Sequence, residues 1–357
     1  MSDNPPASSG VTGSGSRAYP YEIYKPELEQ VPAGIATLLA EYAGIPPEEQ
    51  KEHIKTVRDR AFKSHPYPCL GRWRFLELDL SSHPLYQSYI VPMLSNKEKK
   101  AVADDDDGGD GKNDWIFLDL GCCLGQDIRK LIFDGGDASR IYGGDLRPEF
   151  IEVGYELFRD EDKFPRAEHF IAPADVFDFS SESELSKKCD GRVAILHSTA
   201  VFHLFDWDQQ VTMARRCLQL LTTKKGRVLI CGCQVGNENP GEFPRRLGGG
   251  SRYRHNEASW KKMWDQVVQQ ESDKYNIRNV EVGAVMLGRN NSSRIREELE
   301  AHARREAQEQ EGRDQDQETS DNKAEDGVRD SNNQLKHIGR LEEGFRWMKY
   351  WVWIDFA

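Results

Sequence analysis

The stretch Trp115–Lys130, WIFLDLGCCLGQDIRK, constrains the fold more than any other part of the chain. Trp115, Ile116, Phe117 and Leu118 form a short apolar run of strand formers, Gly121 and Gly125 punctuate a turn, and Ile128, Leu131 and Ile132 fall at helical spacing. A buried strand, a glycine-bearing turn and an amphipathic helix in that order build a site for a nucleotide-type ligand. The glycine lets the backbone approach the ligand closely, and the free N–H groups of the following helix favour an electronegative partner. A second strand, Arg140 to Gly144, ends in Asp145, roughly two dozen residues beyond the glycine turn. A carboxylate there accepts hydrogen bonds from both hydroxyls of an adenosine ribose.

The dinucleotide fingerprint G-x-G-x-x-G fails in this turn, because Cys123 and Gln126 stand at its second and third glycine positions. A nicotinamide enzyme is therefore the weaker reading. The stretch instead resembles the looser D-x-G-x-x-x-G of class I S-adenosylmethionine-dependent methyltransferases, with Asp119, Gly121 and Gly125 in the motif positions and Cys123 where many members have glycine. That cofactor has no pyrophosphate, so one small non-glycine residue in the turn is tolerable.

Later segments extend the same pattern. Phe170 to Phe179 has the form of a third strand ending in Asp175 and Val176, which the superfamily resemblance places beside the adenine ring. Arg192 to Phe205 is an apolar strand running into a loop with His197 and His203, and a helical pattern follows from Gln209 to Leu221. Gly226 to Cys233 is a fifth apolar strand, and Val280 to Leu287 and Phe345 to Phe356 are two more. Both alternating faces of Phe345 to Phe356 are largely apolar, as suits a strand inside a sheet. The expected fold is α/β: a Rossmann-like doubly wound seven-stranded sheet with an antiparallel last strand, the methyltransferase topology, plus an N-terminal helical cap.

The segments HPYPCLGRWRFLELDL (His65 to Leu80), LDLGCCLGQDIRKLIFDGG (Leu118 to Gly136), GGDL (Gly143 to Leu146) and FHLFDWDQQ (Phe202 to Gln210) are together similar to fungal secondary-metabolite methyltransferases, especially those that methylate carboxyl groups in meroterpenoid pathways. The resemblance covers about Tyr21 to Phe356 apart from two charged insertions. It implies S-adenosylmethionine as cofactor, a small polyketide or terpenoid acid as substrate, and no metal. It also implies a cofactor site built from Asp119, Gly121, Cys123, Gly125, Asp145, Leu146, Asp175 and Val176.

Composition sets outer limits. With 357 residues and 38% hydrophobic content the chain can bury a core. The net charge of −12 comes partly from local acidic runs, and without a Lys/Arg stripe it argues against a nucleic-acid substrate. Seven cysteines, an odd number scattered through strands and turns, fit reduced thiols in the cytoplasm rather than a disulfide framework. Cys122–Cys123 and Cys231–Gly232–Cys233 lack C-x-x-C spacing and sit on strands separated by a third, so small apolar filler is preferred to a zinc site. No apolar run reaches the ~18 residues of a membrane span. A homodimer is compatible with these features.

Residues 1–20 are Ser/Gly/Pro-rich and are expected to be a disordered tail, followed by a helical cap over 21–94 with a break at Pro46–Pro47. An acidic linker over 95–114 leads to the core at 115–357, which a charged insertion at about 290–336 interrupts. The cap would cover the cofactor mouth and exclude water.

Methyl transfer from a sulfonium is an in-line displacement, so positioning carries much of the acceleration. A carboxylate acceptor is already ionised at neutral pH and needs no strong base; a phenol or carbon acceptor would need one, for which His203 and His197 are the candidates. Tyr67 and Arg72 are candidates for holding a carboxylate of cofactor or substrate, and Phe202, Phe205 and Trp207 for lining an apolar acceptor pocket. The alternatives are a phenol-, N- or C-methyltransferase and, in another class, a non-catalytic scaffold that keeps the fold.

Overall fold

Ile116–Leu120 forms β1, and all five residues are buried, as in a strand covered on both faces. The computed structural model describes residues 24–95, 115–245, 250–288 and 343–357. The expected tail, all of the acidic linker but Ser95, and the charged insertion at 290–336 lie outside the described residues.

Parallel to β1 run β2 (Ile141–Gly144) and β4 (Val193–His197), with β3 (Phe170–Ile171) beyond β2 and β5 (Arg227–Asn237) beyond β4. Two further strands, β8 (Ile277–Met286) and β9 (Phe345–Phe356), complete a seven-stranded sheet in the order β3-β2-β1-β4-β5-β9-β8. β9 inserts antiparallel between β5 and β8 and pairs with β5 from Arg227↔Asp355 to Asn237↔Phe345. The doubly wound sheet with antiparallel insertion is the architecture expected from the sequence. Its strand order reverses between β1 and β4, which opens a crevice at their carboxyl ends.

Two expectations need correction. The segment from Phe170 to Phe179 is not a long strand: only Phe170 and Ile171 join the sheet, and Pro173, which has no N–H to donate, stands where a ladder would continue. A small antiparallel hairpin, β6 (Gly241–Pro244) with β7 (Ser251–Arg254), was not expected at all. It is fastened to the loop after β4 by the Tyr253 N–H, which donates to the Phe205 carbonyl at 2.8 Å, and by Arg254 Nη1, which donates to the His203 carbonyl at 2.6 Å.

The N-terminal helices begin after Pro32. Ala33–Thr37 runs into a π-helical turn, Leu38–Tyr42, and Pro47 opens the long helix Pro47–Ser64, where its missing N–H costs nothing. That helix buries Ile54, Val57 and Ala61 in an apolar cluster with Leu38, Leu39, Leu70 and Trp73. Leu124 of the glycine turn belongs to the same cluster, as do Phe150, Val153 and Leu157 of the helix Pro148–Phe158. The cap therefore shares a core with the turn it covers. Its trailing segment is pinned by polar bonds: buried Lys349 of β9 donates to the Asp79 carbonyl at 2.8 Å and to Ser82 Oγ at 2.6 Å, and Asp127 Oδ1 accepts the Leu80 N–H at 2.9 Å.

Candidate active site

The turn after β1 holds three residues in the left-handed region: Gly121 (φ +84°), Cys123 (φ +53°) and Gly125 (φ +69°). The glycines serve packing more directly than ligand approach. A Cβ on Gly121 would overlap Val201 Cγ2, and one on Gly125 would overlap the Arg129 guanidinium and press on the Phe170 ring at 3.2 Å. For Cys123 the left-handed backbone costs about 1–3 kcal/mol. Its N–H is thereby aimed at Asp145 Oδ2, 2.9 Å away.

Asp145 follows β2 and is buried, with its second oxygen accepting the Arg147 N–H at 2.9 Å. Burial pushes its carboxyl up to about 6, against the opposing pull of these two N–H donors. Each oxygen still has a lone pair to offer, so the geometry fits a vicinal diol. Tyr67 of the cap comes to this side of the site, 4.2 Å from His65 and 5.7 Å from Phe150 between ring centroids. Burial and the neighbouring Asp145 charge push its phenol up. Arg72, half-buried, caps the short helix Pro68–Gly71.

Asp175 is exposed and its Oδ1 accepts the Phe177 N–H at 2.8 Å, while Val176 beside it is buried. Leu146 and Phe177 are exposed apolar side chains next to these carboxylates, and Phe177 meets Phe205 edge-on at 4.8 Å. The ends of β2 and β3 therefore present apolar surface beside hydrogen-bonding groups, as an adenine ring requires.

Asp119 lies beneath the turn and accepts from His197 Nδ1 at 2.8 Å. The other nitrogen of His197 meets Thr199 Oγ1 at 2.9 Å, and Thr199 Oγ1 in turn accepts the Cys233 N–H. Burial opposes the charged form of His197, and the Asp119 carboxylate outweighs it, so the imidazole is raised from its ordinary range. Both ring nitrogens are engaged and the ring is fully buried, so His197 ties β1 to β4.

His203 is half-buried in the short 3₁₀ turn Phe202–Leu204. Its Nδ1 accepts the Val235 N–H at 3.1 Å. Burial and the guanidiniums of Arg254 and Arg252 hold it well below the usual histidine range. A neutral ring with Nδ1 accepting must carry its proton on Nε2, so His203 presents a donor.

Two aromatic expectations also change. Phe202 is a core residue, packed on Trp260 and Tyr350 at 5.2 and 6.1 Å, and Trp207 packs on Tyr253 at 4.8 Å and donates to Gln266 Oε1 at 3.0 Å. Trp347 of β9 instead stands beside the loop after β4, its ring 6.4 Å from that of His203 and 4.3 Å from the guanidinium carbon of Arg74. The sequence reading missed Arg74 and Trp347. Only the resemblance carried by His65 to Leu80 could have drawn attention to Arg74.

Behind the turn, Arg129 and Asp160 form a fully buried two-point ion pair at 2.9 and 3.0 Å. Arg129 Nη1 also donates to the Leu124 carbonyl at 3.1 Å, and the Tyr42 hydroxyl of the cap donates to Asp160 Oδ2 at 2.8 Å. One ion pair thus fastens the glycine turn to the cap.

Among the described residues no helix is long and apolar enough to cross a membrane. Residues 23–76 match the meroterpenoid methyltransferase N-terminal domain. Over 255 residues the chain is 39% identical to O-methyltransferase phiE of a fungal species (strain ATCC 74256), covering 71% of this chain and 77% of that one. It is 36% identical to methyltransferase adrK of Penicillium roqueforti, covering 73% and 86%. It is 34% identical to the asnovolin E/chermesin D methyltransferase nvfJ of Aspergillus novofumigatus, covering 73% and 85%. A nucleotide-type crevice at the β1/β4 reversal, roofed by a cap of this kind, accompanies a match spanning most of both chains: the protein belongs to the fungal meroterpenoid methyltransferases.

Proposed function

We propose that the protein transfers a methyl group from S-adenosylmethionine to a carboxylate oxygen of a small terpenoid or polyketide acid, giving a methyl ester. When bound, the cofactor supplies an electrophilic sulfonium methyl. Asp145 holds its ribose hydroxyls, the Gly121–Gly125 turn receives its amino-acid end, and Leu146, Asp175 and Val176 flank its base. The cap excludes water, and the acceptor approaches over the ends of β4, β5 and β9.

The observation that carries the carboxylate assignment is His203. It stands in the turn after β4 beside Trp347 of β9, its Nδ1 is taken by the Val235 N–H, and it stays neutral with a proton on Nε2. Such a ring donates to an oxygen anion and orients it, but has no free basic nitrogen for a phenol or an acidic carbon. An acceptor that arrives ionised suits the site. A carboxyl group does so, because its ordinary pKa lies near 4.

The test is incubation of the full chain with methyl-labelled S-adenosylmethionine and a panel of terpenoid and polyketide acids beside their methyl esters and phenolic analogues. Base-labile label appearing from the acids alone is the expected result. Label retained on a phenol or ring carbon would replace the carboxylate by the corresponding alternative.

A further inference from the structure

Arg74 is held in place from two directions. Its Nη2 donates to Asp79 Oδ1 at 2.6 Å, and its guanidinium lies flat enough on Trp347 to bring the central carbon within 4.3 Å of the ring centroid. Asp79 is itself immobilised, since Lys349 donates to its backbone carbonyl. Such a clamp removes the rotamer freedom that makes most arginines poor at reading a ligand before it arrives.

Its indole platform belongs to a strand on the other side of β1 from β2, the strand that Asp145 follows. Trp347 pairs with Val235, and β9 stands three strands from β1 in the order β1-β4-β5-β9. His203, which touches the same indole, lies on the same side.

The guanidinium also has capacity to spare. Of its five N–H donors, Asp79 takes one, and Asp79 is its only hydrogen-bond partner among the described residues. The side chain keeps 20% of its surface exposed, so a ligand can reach it. A planar fork with donors left over, on the acceptor side of the sheet, matches a carboxylate.

We propose that Arg74 anchors the carboxylate of the methyl acceptor, with Trp347 as the platform that aims it. This rests on the carboxylate reading above and adds the residue that selects the acid. Arg74 holds one carboxylate oxygen, the other oxygen stays free to attack, and His203 Nε2–H completes the anion's hydrogen bonding. Methylation turns the anion into a neutral ester that the fork no longer holds, so the same residue favours product release.

The test uses the full chain saturated with S-adenosylhomocysteine, into which farnesoic acid and methyl farnesoate are titrated separately. The wild type should bind the acid at least tenfold more tightly than the ester. Arg74→Met should lose that preference by about 10–100-fold while its affinity for S-adenosylhomocysteine is unchanged. Three results would overturn the assignment: a wild type that binds the acid no better than the ester, a preference that survives in Arg74→Met, or a loss that falls on S-adenosylhomocysteine, which would move Arg74 to the cofactor's own carboxylate. If Arg74→Met does not fold, Arg74→Lys is measured in turnover; a raised KM for the acid with kcat little changed supports the anchor, and an unchanged KM removes it. Acid methylation that is equal in wild type and variant would leave the carboxylate reading standing and remove Arg74 alone, whereas label on a phenol would remove the carboxylate reading itself.

Discussion

The backbone N–H of Val235 donates to Nδ1 of His203 across 3.1 Å, and that single bond decides which ring nitrogen carries the proton. His203→Gln keeps a donor at the site without a titratable ring. It should retain substantial kcat, and the wild-type kcat at saturating S-adenosylmethionine should be flat from about pH 6 to 8.5, because neither the acceptor nor His203 titrates there. Steady-state kinetics across that range check this. A fall of about 10²–10⁴-fold in a folded, cofactor-binding variant would instead identify a general base.

Asp145 should make cofactor affinity depend on acid. Its carboxyl sits near pH 6 in the fold, so S-adenosylhomocysteine binding should weaken as pH falls below that value and the proton occupies an accepting oxygen. Titration calorimetry between pH 5 and 8 should show that slope in the wild type and none in Asp145→Asn. Asp145→Ala should lose about 1–3 kcal/mol of binding. The sign for stability is opposite: the folded value exceeds the unfolded value near 3.9, so the ligand-free fold gains from this residue as pH falls from about 6 towards 4.

Breaking the Arg129–Asp160 pair should be expensive. Neither side chain reaches solvent, so Asp160→Asn leaves a buried guanidinium without its counter-charge and should cost about 3–5 kcal/mol, seen as a lower midpoint in chemical denaturation. Cofactor affinity should fall with it, since Arg129 also holds the Leu124 carbonyl of the glycine turn.

Replacement of residues 293–333 by a short Gly/Ser linker should change melting temperature and turnover little. β8 and β9 are paired through Met286↔Met348 whatever joins them, and closure entropy varies slowly with loop length. A large drop in either measurement would show that the insertion contributes to the fold or to substrate binding.

The sheet was legible because its central strands are continuous apolar runs and its turn carries glycines at fixed spacing. β3 was overextended because Phe170, Ile171, Val176 and Phe177 look alike in an apolar count, while one proline decides where pairing ends. The β6–β7 hairpin was invisible: GEFP and SRYR bury little, and their anchorage runs from the Tyr253 N–H and the Arg254 guanidinium to backbone carbonyls, which no apolar pattern encodes. Asp145 could be placed by local spacing alone. Arg74 and Trp347 could not, since they come from opposite ends of the chain and Trp347 sits in a strand whose apolar residues all read as core.

Leu124 has one foot in the cofactor turn and the other in the cap's interior. The boundary between cap and catalytic domain is thus a line in the sequence but not in the packing. A chimera that exchanges residues 24–95 between relatives would bring in a surface shaped for another protein's Leu124, Phe150 and Val153, and the misfit would be felt first where the turn must keep its left-handed residues in place. The cap, the turn and the helix Pro148–Phe158 thus form one packing unit, and swapping the cap alone should unsettle cofactor binding.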